Sequence, residues 1–366
     1  MLLLATALAV LPPTPDWMAS LYADKPDTRL TQVVIPGTHD SGAFRIDTEG
    51  KCKLTAIAGA NPAMASAAKS NPCAVGRLAK AQSQNFTSQL NGGVRYLDMR
   101  LGVPETKVVT PKKAGKKLTN QAAAKVPVYL QHTFTSIRFT KALGQILGFA
   151  KQHPREQIIL DFQHIDLTGK KKVDKYYTTA IDKILRTYRV NGTSVCSRAW
   201  TAGKFPDVTQ TTFGQAWQAD RNILVLYAKG QLPAKSCYRQ REQILYSPWP
   251  NTEDPAVSQT ANAGYLANRQ SALSGSASCT VAGGNQCGLF VDQLQLSMGL
   301  MSQVQCLTGA RTQNCSLLEL AQLRNPSVVQ EMTDWKAAAL PVNISIVDFY
   351  EVNDTARGQI ALNLPG

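Results

Sequence analysis

Short apolar runs recur along the chain, each bounded by polar residues, glycine or proline. Runs of this length that are rich in valine, isoleucine and leucine are typical of buried strands. The seven strand candidates are residues 31–36, 93–99, 126–131, 157–162, 222–228, 288–294 and 342–348. Between several of them, apolar residues recur with the period of a helix that packs one face on a core. The helix candidates are residues 136–153, 173–189 and 316–339.

The ends of the helix candidates carry recognisable signals. Ser136 can cap the first helix, and Pro154 lies just beyond its end. His153 stands at the same end, where a cation interacts favourably with the helix dipole, so we interpret it as structural. In the last candidate, Pro326 predicts a break, because proline removes a backbone hydrogen bond inside a helix.

The alternation of strands and helices predicts a mainly parallel sheet. Seven strand candidates favour a distorted TIM-like (β/α) barrel of the α/β class over a doubly wound sheet. No GxGxxG or Walker-type loop in the sequence supports a nucleotide-binding fold. The chain has 366 residues, and we expect residues 21–366 to form a single barrel domain.

The charge balance is strongly basic. Lysine and arginine number 39 and aspartate and glutamate 25, so the formal net charge is +14. Such a balance favours an anionic partner, which can be nucleic acid, a membrane surface or a phosphorylated lipid. Two lysine-rich segments, 106–125 and 168–175, carry part of this charge. We interpret both segments as solvated loops that aid solubility, with contact between the insertion 106–125 and anionic vesicles as the alternative.

The N-terminus begins with the apolar stretch "MLLLATALAVLPP". It resembles the apolar part of a secretory signal but has no positively charged region before it. We therefore interpret residues 1–20 as a signal or N-terminal segment. The stretch is too short to span a bilayer, and no later segment is apolar for long enough to do so. These features predict a secreted, extracellular protein.

The cysteines support export. There are eight, and no CxxC pair suggests a zinc or thioredoxin-like site. An even number in an exported chain predicts disulfides, and proximity favours Cys279–Cys287 and Cys306–Cys315, followed by Cys52–Cys73 and Cys196–Cys237. Sequons for N-glycosylation begin at Asn85, Asn191, Asn314, Asn343 and Asn353, which predicts a glycoprotein. Asn343 lies in an apolar run and is a poor candidate for an acceptor.

Polar side chains follow the apolar runs. In a barrel the carboxyl ends of the strands form one ring, so we expect these side chains to lie close together. They are His39 and Asp40 after the first run, Asp98 at the end of the second with Arg100 just beyond it, His132 after the third, Asp161 in the fourth with His164 just beyond it, and Asp348 at the end of the last.

This set of residue types suits one reaction. Two histidines can serve as general base and general acid near neutral pH. A carboxylate behind each histidine would fix its tautomer, and an arginine would offer a planar fork to a phosphate. The combination predicts cleavage of a phosphodiester by an internal hydroxyl. The role of His164 stays open at this point.

Several stretches resemble the X domain of phosphatidylinositol-specific phospholipase C. They are "IPGTHDSGAF", "GVRYLDMR", the histidine after the third strand, "IILDFQH" and "NISIVDFY", and they span about residues 29–353 in the order of that family. The stretch "SPWPNTED" resembles a Trp-Asn-Thr loop of the branch that has only the X domain. The resemblance implies a distorted TIM barrel.

The resemblance also implies roles for the ring of polar residues. His39 resembles the general base that deprotonates the inositol 2-hydroxyl, and His132 the general acid that protonates the departing glycerol oxygen. Asp348 would orient His39, and Asp40 would support His132. Arg100 would hold the phosphoryl oxygens with Asp98 beside it. The residues that would bind the substrate are Asp161, Gln163, Trp249 and Asn251.

Calcium-dependent members of the family have an acidic metal ligand at the position of Arg100. The arginine resembles the metal-independent bacterial and X-domain-only enzymes, so we expect no metal and no cofactor. The implied activity is cleavage of phosphatidylinositol, or of a glycosylphosphatidylinositol lipid, to diacylglycerol and a cyclic inositol phosphate. We expect a monomer that meets its phosphoinositide substrate on an anionic membrane and binds no nucleic acid. The alternatives are a metal-dependent phosphodiesterase on the same barrel and a non-catalytic binder of inositol lipids.

Overall fold

The protein was analysed as a computed structural model that describes residues 14–115, 117–228, 230–232 and 237–365. Twelve strands lie in these ranges: β1 Ile35–Thr38, β2 Tyr96–Gly102, β3 Tyr129–His132, β4 Phe134–Arg138, β5 Ile158–Asp166, β6 Ile223–Tyr227, β7 Arg239–Gln240, β8 Leu245–Tyr246, β9 Thr280–Val281, β10 Gly284–Asn285, β11 Leu289–Gln293 and β12 Ile344–Val347.

The α-helices of the same ranges lie mostly between the strands. They are α1 Trp17–Leu21, α2 Pro62–Ser70, α3 Pro72–Ala79, α4 Phe86–Asn91, α5 Pro111–Ala114, α6 Asn120–Lys125, α7 Phe139–Gln152, α8 Lys171–Thr187, α9 Val195–Arg198, α10 Phe213–Gln218, α11 Pro255–Leu273, α12 Leu300–Thr308, α13 Leu317–Ala337 and α14 Thr355–Ala361. Short 3₁₀ helices cover Thr14–Asp16, Leu30–Gln32, Glu105–Lys107, Arg241–Gln243 and Val352–Asp354.

Eight parallel strands form the curled sheet of a distorted TIM barrel, as predicted. Their order is β7-β6-β5-β2-β1-β12-β11-β8. The two end strands of this order have only two residues each, and within the described residues no ladder joins them. The barrel is therefore open between β7 and β8, although the 3₁₀ helix Arg241–Gln243 connects them directly.

All seven strand candidates overlap a strand, but the strand of the third does not belong to the barrel. Strand β3 pairs antiparallel with β2, with Leu101 opposite Leu130, and it forms a hairpin with β4. The expected place of 126–131 as a parallel barrel strand is therefore wrong. A parallel neighbour needs a long crossover connection, whereas β3 returns to β2 and lies outside the barrel order.

Two expectations about the helices, one about a cap and one about a break, are also wrong. Ser136 lies in β4, where its hydroxyl accepts a hydrogen bond from the backbone amide of Arg45, so it does not cap α7. Helix α13 runs through Pro326 without a break. The buried ion pair of Arg324 with Glu331 spans the proline, and such tertiary and side-chain contacts offset the lost backbone hydrogen bond.

Residues after Thr14 close the amino-terminal end of the barrel. The Trp17 side chain is fully buried, and its indole N–H donates to the carbonyl oxygen of Gly93 at 2.9 Å. The backbone amide of Ala19 donates to Glu156 at 2.7 Å. The predicted N-terminal segment 1–20 therefore overlaps the folded body from Thr14 onward, and its first 13 residues lie outside the described residues.

The barrel interior is filled by inward-facing apolar side chains of the strands. Ile35, Tyr96 and Ile159 are fully buried or nearly so in this cluster. Gly37 lies between two of these strands, where an added Cβ would stand 2.8 Å from Ile346 Cγ2 and 3.0 Å from the Tyr96 ring. Only glycine allows β1 to approach its neighbours this closely, and this approach sets the position of the residues that follow.

All four disulfide pairings favoured by proximity are present: Cys52–Cys73, Cys196–Cys237, Cys279–Cys287 and Cys306–Cys315. Asn343 is buried, and its amide donates to the backbone oxygens of Leu30 and Val33, so this sequon is sequestered in the fold. Within the described ranges, no helix has the length and apolar character needed to cross a bilayer.

Candidate active site

A cavity of about 510 Å³ opens at the carboxyl ends of the barrel strands. His39, His132 and Arg100 all line it. The two imidazole rings face each other edge to face, with centroids 5.8 Å apart. The structure therefore brings together the two predicted histidines and the predicted arginine around one space.

His39 is held by its backbone and by a carboxylate. Its amide donates to the carbonyl oxygen of Val347 at 3.0 Å, and the buried Gln82 side chain donates to the carbonyl oxygen of His39. Its Nδ1 lies 2.8 Å from Asp348 Oδ1. Burial raises the pKa of the Asp348 carboxyl, and the facing His39 opposes that rise. With Nδ1 bonded to Asp348, Nε2 is left to take a proton from the cavity.

His132 is oriented by a backbone carbonyl oxygen, with the predicted partner Asp40 at a longer distance. Its Nδ1 donates to the backbone carbonyl oxygen of Ala79 at 2.9 Å, while Asp40 Oδ2 is 3.6 Å away. A carbonyl oxygen only accepts, so Nδ1 carries the hydrogen and Nε2 is the atom that can exchange a proton. Burial, followed by the charge of Arg100, lowers the pKa of His132 to about 3. In the free site this imidazole is therefore neutral at pH 7.

Arg100 is oriented by Asp98. Its Nη2 and Nε lie 2.9 and 3.1 Å from Asp98 Oδ2, which also accepts the backbone amide of Asp40 at 3.0 Å. Burial by itself would raise the pKa of Asp98, but Arg100 and His39 outweigh burial and lower it to about 2. The carboxylate is thus ionised and holds the guanidinium at the edge of the cavity.

Asp40 lies behind the ion pair of Arg100 and Asp98. It adopts a positive φ of 38°, which aspartate tolerates better than most residues. Burial raises the pKa of its carboxyl well above the usual value. Within the described part of the chain, neither carboxylate oxygen accepts a hydrogen bond, and the nearest cation is Arg100 Nε at 3.9 Å. Support of His132 by Asp40 therefore stays a prediction.

Three of the four predicted substrate-binding residues line the cavity: Gln163, Trp249 and Asn251. Asp161 does not. It is fully buried, pairs with Arg241 at 2.9 Å and accepts the hydroxyl of Tyr96 at 2.6 Å. The structure thus gives Asp161 a place inside the barrel below the cavity.

His164, whose role the sequence left open, also lines the cavity. Strand β5 carries one extra residue where the pairing shifts from Asp98 opposite Asp161 to Arg100 opposite His164. A bulge of this kind redirects side chains at the end of a strand. It explains how two consecutive residues, Gln163 and His164, both reach the same space.

No sequence motif predicted the part of the cavity wall that follows β11. Gln293 belongs to β11, and its amide donates to the hydroxyl of Ser247 at 3.0 Å. Leu296, Ser297, Met298 and Gln303 come from the loop and helix after β11. The Trp249 indole donates to Ser297 Oγ at 2.9 Å and so joins this segment to the Trp-Asn-Thr loop.

In the ranges that the structure describes, no group of three or more histidine, cysteine, aspartate or glutamate side chains could hold a metal ion. The carboxylates of Asp40 and Asp98 both face the guanidinium of Arg100. The expectation of metal-independent catalysis stays a prediction that chelation can test.

No family model matches the chain. Curated relatives do. PI-PLC X domain-containing protein 3 from Homo sapiens is 24% identical over 357 residues, which cover 95% of this chain and 93% of that protein. PI-PLC X domain-containing protein 2 from Mus musculus is 25% identical over 354 residues, with 95% and 87% covered. The predicted resemblance to the phosphatidylinositol-specific phospholipase C X-domain family is confirmed.

Solved structures agree with the X-domain fold. A mutant of phosphatidylinositol-specific phospholipase C from Staphylococcus aureus superposes with a TM-score of 0.57 at 16% identity, covering 97% of this chain and 98% of that one. The enzyme from Listeria monocytogenes gives 0.54 at 18% identity, with 97% and 100% covered. At these identities the likeness establishes the distorted TIM barrel, and the chemistry has to be argued from the site itself.

Proposed function

We propose that this protein is a metal-independent phosphodiesterase of the phosphatidylinositol-specific phospholipase C type. It would cleave phosphatidylinositol, or a glycosylphosphatidylinositol lipid, to diacylglycerol and a cyclic inositol phosphate. The observation that carries the proposal is the group of His39, His132 and Arg100 around one cavity, with the imidazole centroids 5.8 Å apart. Because both rings line the same cavity, one phosphate bound there would lie within reach of two groups that exchange protons.

In the proposed reaction, His39 Nε2 removes the proton of the inositol 2-hydroxyl. The freed oxygen forms a bond to phosphorus, and the bond from phosphorus to the glycerol oxygen breaks. His132 Nε2 gives a proton to that departing oxygen, so the products are a cyclic diester and a neutral alcohol. Arg100 would bind the phosphoryl oxygens, and Asp348 would stabilise the imidazolium formed at His39.

The acid has to be protonated, yet the free site holds His132 neutral. Burial and the cation of Arg100 both oppose the imidazolium. A phosphodiester bound to Arg100 brings a negative charge, which offsets the arginine and attracts a proton to His132. Substrate binding would therefore raise the pKa of His132 and increase the fraction of molecules in which the acid carries its proton.

This argument predicts a measurable change in the titration of His132. In the free protein its pKa should be about 3, and saturating inositol phosphate should raise it by about one to three pH units. An NMR titration of the imidazole Cε1 signal measures both values. The Arg100→Gln variant should raise the pKa in the free protein, because the opposing cation is gone. If the pKa of His132 rises neither with inositol phosphate nor in the Arg100→Gln variant, then charge at Arg100 does not affect the protonation of His132.

The rest of the cavity suits a polyol next to a membrane. The neutral side-chain amides of Gln163, Asn251 and Gln293 can form hydrogen bonds with the hydroxyl groups of a ligand. Beside the mouth, Trp249 is 52% exposed, and on α12 Leu300 is 74% and Met301 70% exposed. Apolar side chains around the entrance to a lipid site support a peripheral membrane contact.

A direct assay tests the proposal. Vesicles that contain phosphatidylinositol, phosphatidylcholine only, or a glycosylphosphatidylinositol-anchored reporter are incubated with the protein, with and without EDTA. We expect diacylglycerol and a cyclic inositol phosphate from the inositol lipid at the same rate in EDTA. Loss of activity in EDTA with rescue by calcium would favour the metal-dependent alternative. Binding without cleavage in every case would favour the non-catalytic one.

The setting of this activity is also a proposal. Four disulfides suit an oxidising compartment, so we propose secretion. A functional signal in residues 1–20, glycosylation of the remaining sequons and a monomeric state are further expectations.

A further inference from the structure

Two lysine-rich segments that are distant in the sequence lie against each other on the flank of the barrel. Helices α5 and α6 of the insertion pack on α8, and Leu118 and Ala123 join the main apolar core. Lys183 Nζ on α8 contacts Asn120 Oδ1 at 3.2 Å. An added Cβ at Gly115 would lie 3.2 Å from Lys172 Nζ. The predicted insertion is therefore a packed element, and Lys117 lines the same groove as lysines of α8.

A groove of about 460 Å³ lies between these elements. Lys117 comes from the insertion, and Lys172, Lys175 and Lys183 come from one face of α8. None of the described residues that line the groove is acidic. The three lysines of α8 extend over about 16 Å along the helix axis. The groove is thus a linear track of positive charge on a folded support.

The direction of the track argues against a membrane as its main ligand. Helix α8 begins after the carboxyl end of β5, on the side where the candidate active-site cavity opens (the catalytic mouth). It then runs back along the barrel. Lys172 is near the level of the mouth, whereas Lys183 lies three turns away from it. A flat bilayer over the mouth would reach the first of these lysines but not the whole track.

Nucleic acid is also a poor match. Proteins that bind single strands offer exposed aromatic rings on which bases stack. Tyr176, the aromatic residue of the groove lining, is 9% exposed and packs on the core. What remains is a groove that recognises a series of anionic groups by charge. The four disulfides favour a compartment outside the cytosol, where extended chains of this kind are sulfated polysaccharides.

We propose that the groove between residues 114–115 and 117–118 of the insertion and helix α8 binds a linear sulfated polysaccharide. The sulfates would pair with Lys117 from one wall and with Lys172, Lys175 and Lys183 from the other. Such binding is dominated by released counterions, so it is strong at low salt and weakens steeply as salt rises. Because the groove lies on the flank, the catalytic mouth stays open to a membrane while the polysaccharide is bound.

The test compares two variants with equal loss of charge. One carries Lys117→Gln, Lys172→Gln and Lys175→Gln, all exposed positions in the groove. The control carries Lys51→Gln, Lys53→Gln and Lys141→Gln, exposed positions outside it. Affinity for a heparin octasaccharide is measured by calorimetry over a range of salt concentrations. The groove variant should bind about tenfold more weakly or worse at physiological salt, with a salt slope lower by about two to three.

The control variant should stay within about twofold of the unmodified protein in the same titrations. Equal weakening of both variants would overturn the proposal, because net charge alone would then explain the affinity. So would a groove variant that keeps octasaccharide affinity but loses binding to single-stranded DNA or to phosphatidylserine vesicles. Lys183 is left unchanged so that its contact with Asn120 still holds α6, and thermal unfolding of both variants verifies the fold.

Discussion

Replacement of His39 by alanine is expected to lower kcat on phosphatidylinositol by about 10²–10⁴-fold, which is the usual contribution of a positioned general base. The imidazole lines the cavity and bonds Asp348 at 2.8 Å, so the substitution removes the proton acceptor. The backbone of the turn should persist, since the amide of His39 and the side chain of Gln82 still bond their partners there. Turnover and circular dichroism of the purified variant check both statements.

His153 provides a matched control for this experiment. It also places Nδ1 at 2.8 Å from a carboxylate, that of Asp16, but at the amino-terminal end of the barrel. His153→Ala should retain turnover at permissive temperature and affect stability only. A folded His39→Ala protein with a rate near that of the unmodified enzyme would rule out His39 as the base. An equal loss of rate in both variants would point to a general effect on folding.

Arg100→Lys is expected to lower kcat by about 10²–10³-fold, by analogy with the loss of one preorganised donor. Lysine keeps the positive charge but loses the planar fork, so it cannot hold two phosphoryl oxygens and Asp98 at once. Charge builds on the phosphoryl oxygens in the transition state, so the loss should fall mainly on kcat and less on KM. Added calcium should not restore the rate, because lysine is not a metal ligand.

Arg186→Lys is the control for the Arg100 variant. Arg186 also pairs with an aspartate through Nε and Nη2, but it does so on helix α8, outside the cavity. It should keep the kcat of the unmodified protein. An Arg100→Lys variant with unchanged kcat, or a rate that calcium restores, would exclude Arg100 as the phosphate clamp.

Much of the barrel was predictable, because each central strand is a local feature. The run before His39 is apolar and β-branched, and it predicted a strand there, although β1 begins only at Ile35 and continues through Pro36 and Gly37. The same reasoning placed the strand that carries Asp98 and the strand that ends just before Asp348. Strands β7 and β8 were missed, since two residues do not make a pattern and these strands exist only through pairing with their neighbours. The disulfides followed from proximity of the cysteines along the chain.

His132 was predicted from the wrong geometry. The sequence suggested a parallel strand that ends at the mouth, but β3 is antiparallel to β2 and brings His132 back beside the Arg100 level. Its partner is the carbonyl oxygen of Ala79, a backbone atom that every residue has. No side-chain pattern can reveal such a contact. The pairing of Asp161 with Arg241 was hidden for a similar reason, as the two are far apart in the chain.

The sequence by itself therefore determined the barrel class and the residue types of the site, and it favoured the cysteine pairs that the structure shows. These depend on local hydrophobic periodicity, on chain separation and on motifs that stay contiguous. Only the tertiary structure decided which side chains face the cavity and which nitrogen of His132 carries the hydrogen. It also decided that two lysine-rich segments form one groove. These depend on packing between elements that are distant in the chain, where burial and neighbouring charges act across space rather than along the sequence.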